Sequence, residues 1–374
     1  MPTPRVPING ETFRWAREAL HMDPKTLGKS ANLSAATISS IESEAYQPTF
    51  QQATKLAKKL DRTLGFLMTD RPTISTDVPE TVDFRGRTTG TVSEKLAREL
   101  KHAEERRRTL LDLENRPARP ALAGIDRLNA PARAAELRTI LGLSDSDTPP
   151  ARGTLEFWRR LVEKHGYLVF QTTGVDLAEF KGVSVEHEQL PIIILNGSDA
   201  ESSKAFTIFH EVAHVTNRTS GMCVLDHGNS EEAVANRFAA CFLMPEAEVR
   251  ALVESSSDAQ AQAKAIAKRF RVSTWAAAVR LRTLTMISEN ELETIRQQSE
   301  KAWREARSRQ PESSGHPPAW RVRYRDLGAS YVGSIARAVE DQRVDMLDAT
   351  YLLGARIPMV EKMFEEFHLK DGAA

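Results

Sequence analysis

The run His210-Glu211-Val212-Ala213-His214 constrains this chain more than any other feature. Around it the apolar residues Ala205, Phe206, Phe209, Val212 and Ala213 recur at i, i+3 and i+4, the pattern of one buried helix face. Two histidines four apart on a helix project from one side and can close on a single cation. Glu211 lies beside them around the helix, where its carboxylate can accept a proton from water held by that cation. A tetrahedral catalytic site needs a third protein donor and one open position, so the fold must bring a second element against this helix.

The stretch from Ser230 to Ala239 reads as that element, a helix capped by Ser230 in a run that ends at Pro245. Glu232 and Asn236 share one of its faces at i, i+4, a spacing that suits a carboxylate ligand and an amide that orients a histidine ring. Glu231 points elsewhere as a first-turn acid favoured by the helix dipole, and stands as the competing ligand. Together these residues form the H-E-x-x-H zincin arrangement with a downstream glutamate. Two residues of the intervening loop have weaker readings. His227 is expected to be an exposed loop histidine, with oxyanion stabilisation as its functional alternative; Cys223 is expected to be inert, with a thiolate reaching the metal as its alternative.

The run Phe206 to His214, the later Glu232-x-x-x-Asn236-x-Phe238-Ala239 and the closing Phe242-Leu243-Met244-Pro245 resemble the ImmA/IrrE family of metallopeptidases across residues 150–250. The strand Pro191 to Asn196 also matches the strand that precedes the metal helix in that family. The resemblance implies His210, His214 and Glu232 as ligands of one Zn2+, with another divalent ion such as Mn2+ as the alternative, and Glu211 as the catalytic glutamate. It further implies a zinc-dependent endopeptidase that cuts helix-turn-helix repressors in phage, mobile-element or stress circuits, although the family has members without established turnover.

Near the N-terminus, Pro24 to Ala31 reads as a short helix with proline in its first turn, where proline is tolerated. Asn32 suits a left-handed turn and Ser34 an N-cap for the helix Ala35 to Glu42, which buries Ile38 and Ile41 against Leu27 and Ala31. Gly28 should let the two helices cross closely. A helical hairpin of this kind can also be a bare protein-interaction module. The pattern Leu33-Ser34-x-x-Thr37-Ile38-Ser39-x-Ile41-Glu42, followed by Gln47-Pro48-Thr49, resembles the Cro/CI-type (XRE) helix-turn-helix family across residues 10–69.

That second resemblance implies a brace between Arg17 and Glu42, base-reading positions at Ala35, Ala36 and Ser40, and Thr37 and Ser39 near phosphates. Two alanines offer only methyl contacts, so base specificity from this helix alone should be modest. Lys25 and Lys29 can hold phosphates without reading sequence. The implied partner is a double-stranded DNA operator, bound as a homodimer. Residues 1–70 carry nine Lys or Arg against seven Asp or Glu, while the whole chain, 51 against 51, is neutral, so charge lends only mild support.

The expected architecture is mostly α with a small β-sheet, an α+β chain of 374 residues. A five-helix helix-turn-helix domain over 8–70 precedes a Pro- and Ser/Thr-containing linker at 71–91 and a charged helical connector at 92–150. The zincin-like core follows over 151–250, with strands at Tyr167–Gln171, Gly182–Val185 and Pro191–Leu195, then a helical region over 251–374 containing a break at Ser308 to Pro318. The charged helix Glu94 to Leu113 reads as a solvated face, with phosphate contact as its alternative. Two cysteines cannot build a disulfide framework, and no run approaches the roughly 18 apolar residues needed to span a bilayer. Without the apolar core of a signal peptide at the start, a cytoplasmic protein is the expectation.

The functional expectation is a DNA-binding transcriptional regulator with a zinc endopeptidase module, its target a repressor-type protein or another copy of itself. The two-module layout also fits an antitoxin with a cognate toxin. A second reading is a DNA-binding repressor or antitoxin whose metal is structural or sensory. A housekeeping peptidase with a vestigial DNA-binding domain ranks last.

Overall fold

The structure, a computed structural model, describes residues 4–20, 22–70, 93–116, 118–119, 121–219, 222–223, 230–253, 258–308 and 317–371. The expected linker at 71–91 and most of the break at 308–318 lie outside these residues. The chain divides into two compact units, Met1–Glu105 and Arg106–Ala374.

The first unit begins with four α-helices: α1 (Gly10–Glu18), α2 (Pro24–Ala31), α3 (Ala35–Glu42) and α4 (Phe50–Lys59). The fifth element expected there is a single 3-10 turn, Phe66–Met68. Side-chain caps start every α-helix: Asn9, Asp23, Ser34 and Thr49 each accept from a backbone N–H of the first turn, and Thr49 forms a reciprocal box with Gln52. The turn from α2 to α3 runs through Asn32 at φ +60. A Cβ on Gly28 would stand 2.7 Å from the Leu33 carbonyl oxygen, so this glycine makes room for the turn's own backbone. Phe13, Leu27, Ile38, Ile41, Leu56 and Leu67 close the core. Arg17, buried beside it, donates to Glu42 Oε1 at 2.6 Å and to the Met22 carbonyl. Next comes α5 (Glu94–Leu113), whose first half anchors to this unit through Lys101 and His102, both on the Asp61 carboxylate.

The second unit takes up the end of α5 and continues with α6 (Ala130–Ile140) and α7 (Thr154–Lys164). A four-stranded sheet follows from β1 (Leu168–Thr172), β2 (Gly182–Val185), β3 (Ile192–Asn196) and, after α8 (Glu201–Asn217), the two-residue β4 (Met222–Cys223). Their order is β1-β3-β2-β4, with β1 parallel to β3 and the other pairings antiparallel. Every residue of β1, β2 and β3 is buried, which explains their apolar runs.

Against α8 packs α9 (Ser230–Leu243). Trp158 of α7, Phe209 of α8 and Phe242 of α9 meet there, with the Phe209 and Phe242 rings stacked at 3.9 Å and Trp158 edge-on at 5.2 and 5.6 Å. This aromatic knot fixes the two helices that carry the site; truncating one such ring costs about 3–5 kcal/mol.

Helices α10 (Glu246–Leu252), α11 (Ala259–Phe270), α12 (Thr274–Thr283) and α13 (Glu289–Ser308) extend this core. The junction of α11 and α12, with Arg271 at φ +57 and Ser273 as N-cap, repeats the turn between α2 and α3. A last group, α14 (Ala319–Leu327), α15 (Ala329–Glu340), α16 (Met346–Leu353) and α17 (Ile357–Asp371), packs on β1 and α7. Buried Arg159 of α7 ties it down: Nε meets Glu163 Oε1 at 3.0 Å, Nη1 donates to the Arg325 carbonyl and Nη2 to that of Val169. Among the described residues no helix is long and apolar enough to cross a membrane.

Candidate metal centre

His210 and His214 lie one turn apart on α8, and Glu232 comes from the first turn of α9. The two Nε2 atoms stand 3.1 Å apart; Glu232 Oε2 is 3.1 Å from His210 Nε2, and its Oε1 is 3.4 Å from His214 Nε2. All three residues are at most 3% exposed. Donors about 2.0–2.1 Å from a tetrahedral ion stand roughly 3.3 Å from one another, so these spacings match edges of a tetrahedral metal site.

The outer nitrogens explain the orientation. His210 Nδ1 lies 3.0 Å from Asn236 Oδ1, and His214 Nδ1 lies 2.9 Å from Thr219 Oγ1. With each ring's proton placed on Nδ1, both Nε2 lone pairs face the carboxylate, and three electron-rich atoms crowding one buried point call for a cation. The donor set therefore fits a divalent metal, and among the described residues it is the group of His, Cys, Asp and Glu that can hold one.

Glu211 is fully buried beside this cluster, and neither carboxylate oxygen makes a hydrogen bond to the protein. It lines the face of α8 turned to β2, where a Cβ on Gly182 would stand 2.7 Å from its Oε1. Glu231, the competing acid, is exposed. His227 lies outside the described residues, as does the side chain of Cys223. Sequence reasoning missed Thr219 and Gly182. Thr219 arrives because α8 ends with Arg218 in the left-handed region at φ +54, which folds the chain back so that Thr219 N–H meets the His214 carbonyl.

In the first unit, α3 presents Ala35, Ala36 and Ser39 to solvent, with Thr37 and Ser40 half-buried. Thr37 is engaged by the Ser34 cap through both its N–H and its hydroxyl. Lys25 and Lys29 are exposed on α2.

Fold and site together define a helix-turn-helix protein of the DNA-binding kind that carries a metallopeptidase-type domain. Residues 162–282 match the IrrE N-terminal-like domain of the M78 peptidases, and residues 13–67 match the helix-turn-helix family of XRE type. No curated protein matches the chain at a significant level.

Proposed function

We propose that this protein is a DNA-binding transcriptional regulator whose second unit is a zinc-dependent endopeptidase acting on a repressor-type protein. What carries the reading is the pairing of a three-donor cluster at tetrahedral spacing with Glu211, a buried carboxylate beside the ligands that makes no bond to the protein. A structural zinc site is usually closed by four protein donors; three donors and an uncommitted acid are the makings of hydrolysis.

Held by His210, His214 and Glu232, Zn2+ would supply Lewis acidity toward a peptide carbonyl; Mn2+ suits the same donors less specifically. Asn236 and Thr219 hold the two imidazoles in the ligating tautomer. Glu211 takes a proton from the attacking water as its oxygen bonds to the carbonyl carbon. It returns that proton to the amine nitrogen as the C–N bond breaks.

The exposed face of α3 would enter the major groove of an operator, reading little through Ala35 and Ala36, while Lys25 and residues near Thr37 and Ser39 hold phosphates. The substrate class is a helix-turn-helix repressor, another copy of this chain included. A homodimer on a two-fold operator and a cognate toxin as a further partner belong to the same reading.

One observation favours a second reading, a DNA-binding repressor or antitoxin with a structural or sensory metal: ligands and Glu211 alike are at most 3% exposed. Glu211→Gln separates the two. Under the hydrolytic reading the variant keeps its zinc, loses hydrolysis and traps uncleaved substrate in a pull-down. A variant that regulates its promoter as the wild type does would instead establish the second reading.

A further inference from the structure

Gly182 occupies an unlikely place for a glycine. It pairs with Leu195 of β3 on one side and Cys223 of β4 on the other, so it sits inside the sheet, where a missing side chain weakens a strand. Its backbone is not among the positive-φ positions, so conformation does not require glycine. Space does. A Cβ built there would overlap Thr207 Cγ2 and stand 2.7 Å from Glu211 Oε1, closer than real Cβ contacts come.

Thr207 and Glu211 are one turn apart on α8 and face β2 together. Thr207 Oγ1 donates to the Ser203 carbonyl at 3.0 Å, which fixes its rotamer and turns its methyl toward the strand. The Glu211 carboxylate, the far end of a flexible side chain, is what can yield. Nor does a polar contact pin it: both its oxygens lack protein partners, and so does the buried Oγ of Ser184, which shares the Gly182 face of β2.

We propose that Gly182 is a positioning residue for Glu211: the gap it leaves in β2 sets where the carboxylate stands relative to His210 and His214. The proposal rests on the hydrolytic reading of Glu211 for its consequence, though not for its geometry. Displacing a reacting group by about 1 Å costs on the order of 100-fold in rate.

The test uses the full zinc-loaded chain with labelled casein as the peptide-bond probe. Gly182→Ala should keep one zinc at wild-type affinity and leave KM in place while kcat falls on the order of 100-fold. A purely structural glycine would not split kcat from KM and metal content in this way. A thermal-unfolding cycle with Glu211→Ala gives a readout independent of turnover. In a Thr207→Ser background, which removes the methyl that would also meet the new Cβ, the melting-temperature loss caused by Gly182→Ala should shrink by at least half when the carboxylate is absent. Equal losses in both backgrounds, or wild-type kcat in Gly182→Ala, would overturn the proposal. If wild-type chain leaves casein intact, it is the hydrolytic reading that suffers, and the cycle still decides whether Gly182 and Glu211 are coupled.

Discussion

His214 Nδ1 lies 2.9 Å from the hydroxyl of Thr219, a residue just past the end of the helix that carries the histidine. The contact fixes which imidazole nitrogen faces His210 and Glu232. Partners of this kind are worth about 10–100-fold in metal affinity. Thr219→Val should therefore weaken zinc binding by about that factor in competition with a chromophoric chelator, whereas Thr219→Ser should bind as the wild type does. Equal affinity in the valine variant would remove Thr219 from the account.

Metal removal should act on one unit only. Without the ion, a buried carboxylate and two imidazoles face one another at 3.1–3.4 Å. Free zinc at 100 times its Kd adds about 2.7 kcal/mol to whatever unfolds with the site. Calorimetry with and without chelator should shift the transition of Arg106–Ala374 and leave that of Met1–Glu105 in place.

Stability of the second unit should fall toward alkaline pH. Burial pushes the Glu163 carboxyl from 4.5 up to about 7, with Arg159 pulling against it. The folded chain thus keeps a proton that the unfolded chain releases. The contribution is complete below pH 4.5 and is lost as pH rises through about 7. In urea titrations of the zinc-loaded protein, Glu163→Gln should gain steadily on the wild type as pH rises from 5 to 8. A difference that stays flat across that window would contradict the assignment.

Glu42 braces α3 against α1 through Arg17, both partners being under 10% exposed at their side chains. Removing one member of a buried pair strands the other and costs about 3–5 kcal/mol. Glu42→Ala should lower the melting transition of the first unit accordingly, without altering zinc content.

DNA binding should depend more on salt than on sequence. Lys25 is an exposed cation next to a helix start. Lys25→Ala should weaken binding to all duplexes alike and reduce the slope of log K against log salt by about 1. Loss confined to one operator sequence would instead make Lys25 a base reader.

How much of this was legible in the sequence depended on the range of the interaction. Local signals read well: Asn32 and Ser34 fix the turn into α3, whose bounds Ala35–Glu42 agree with the expectation, as do those of β2 and α5. The i, i+4 pair His210 and His214 also announced itself, because helix geometry puts both on one side; Glu232 was named by resemblance, and the packing of α9 on α8 is what brings it to them. Gly182 and Thr219 did not. Their parts depend on where a strand and a returning turn meet α8, and neither residue type signals that by itself. The reason for Gly28 was similarly out of reach: a close helix crossing was the natural expectation, and the nearest obstacle is the Leu33 carbonyl.

The anchorage of Arg159 sets the smallest piece of chain worth expressing. A fragment trimmed to the recognised domain at 162–282 would discard this arginine along with Trp158, and with them the ring that wedges α8 against α9. Cutting after α13 instead would leave the guanidinium without the Arg325 carbonyl and bare one face of β1. Dissection of the second unit should accordingly start at the end of α5 and run through α17, and inactivity of anything shorter would say nothing about the intact chain.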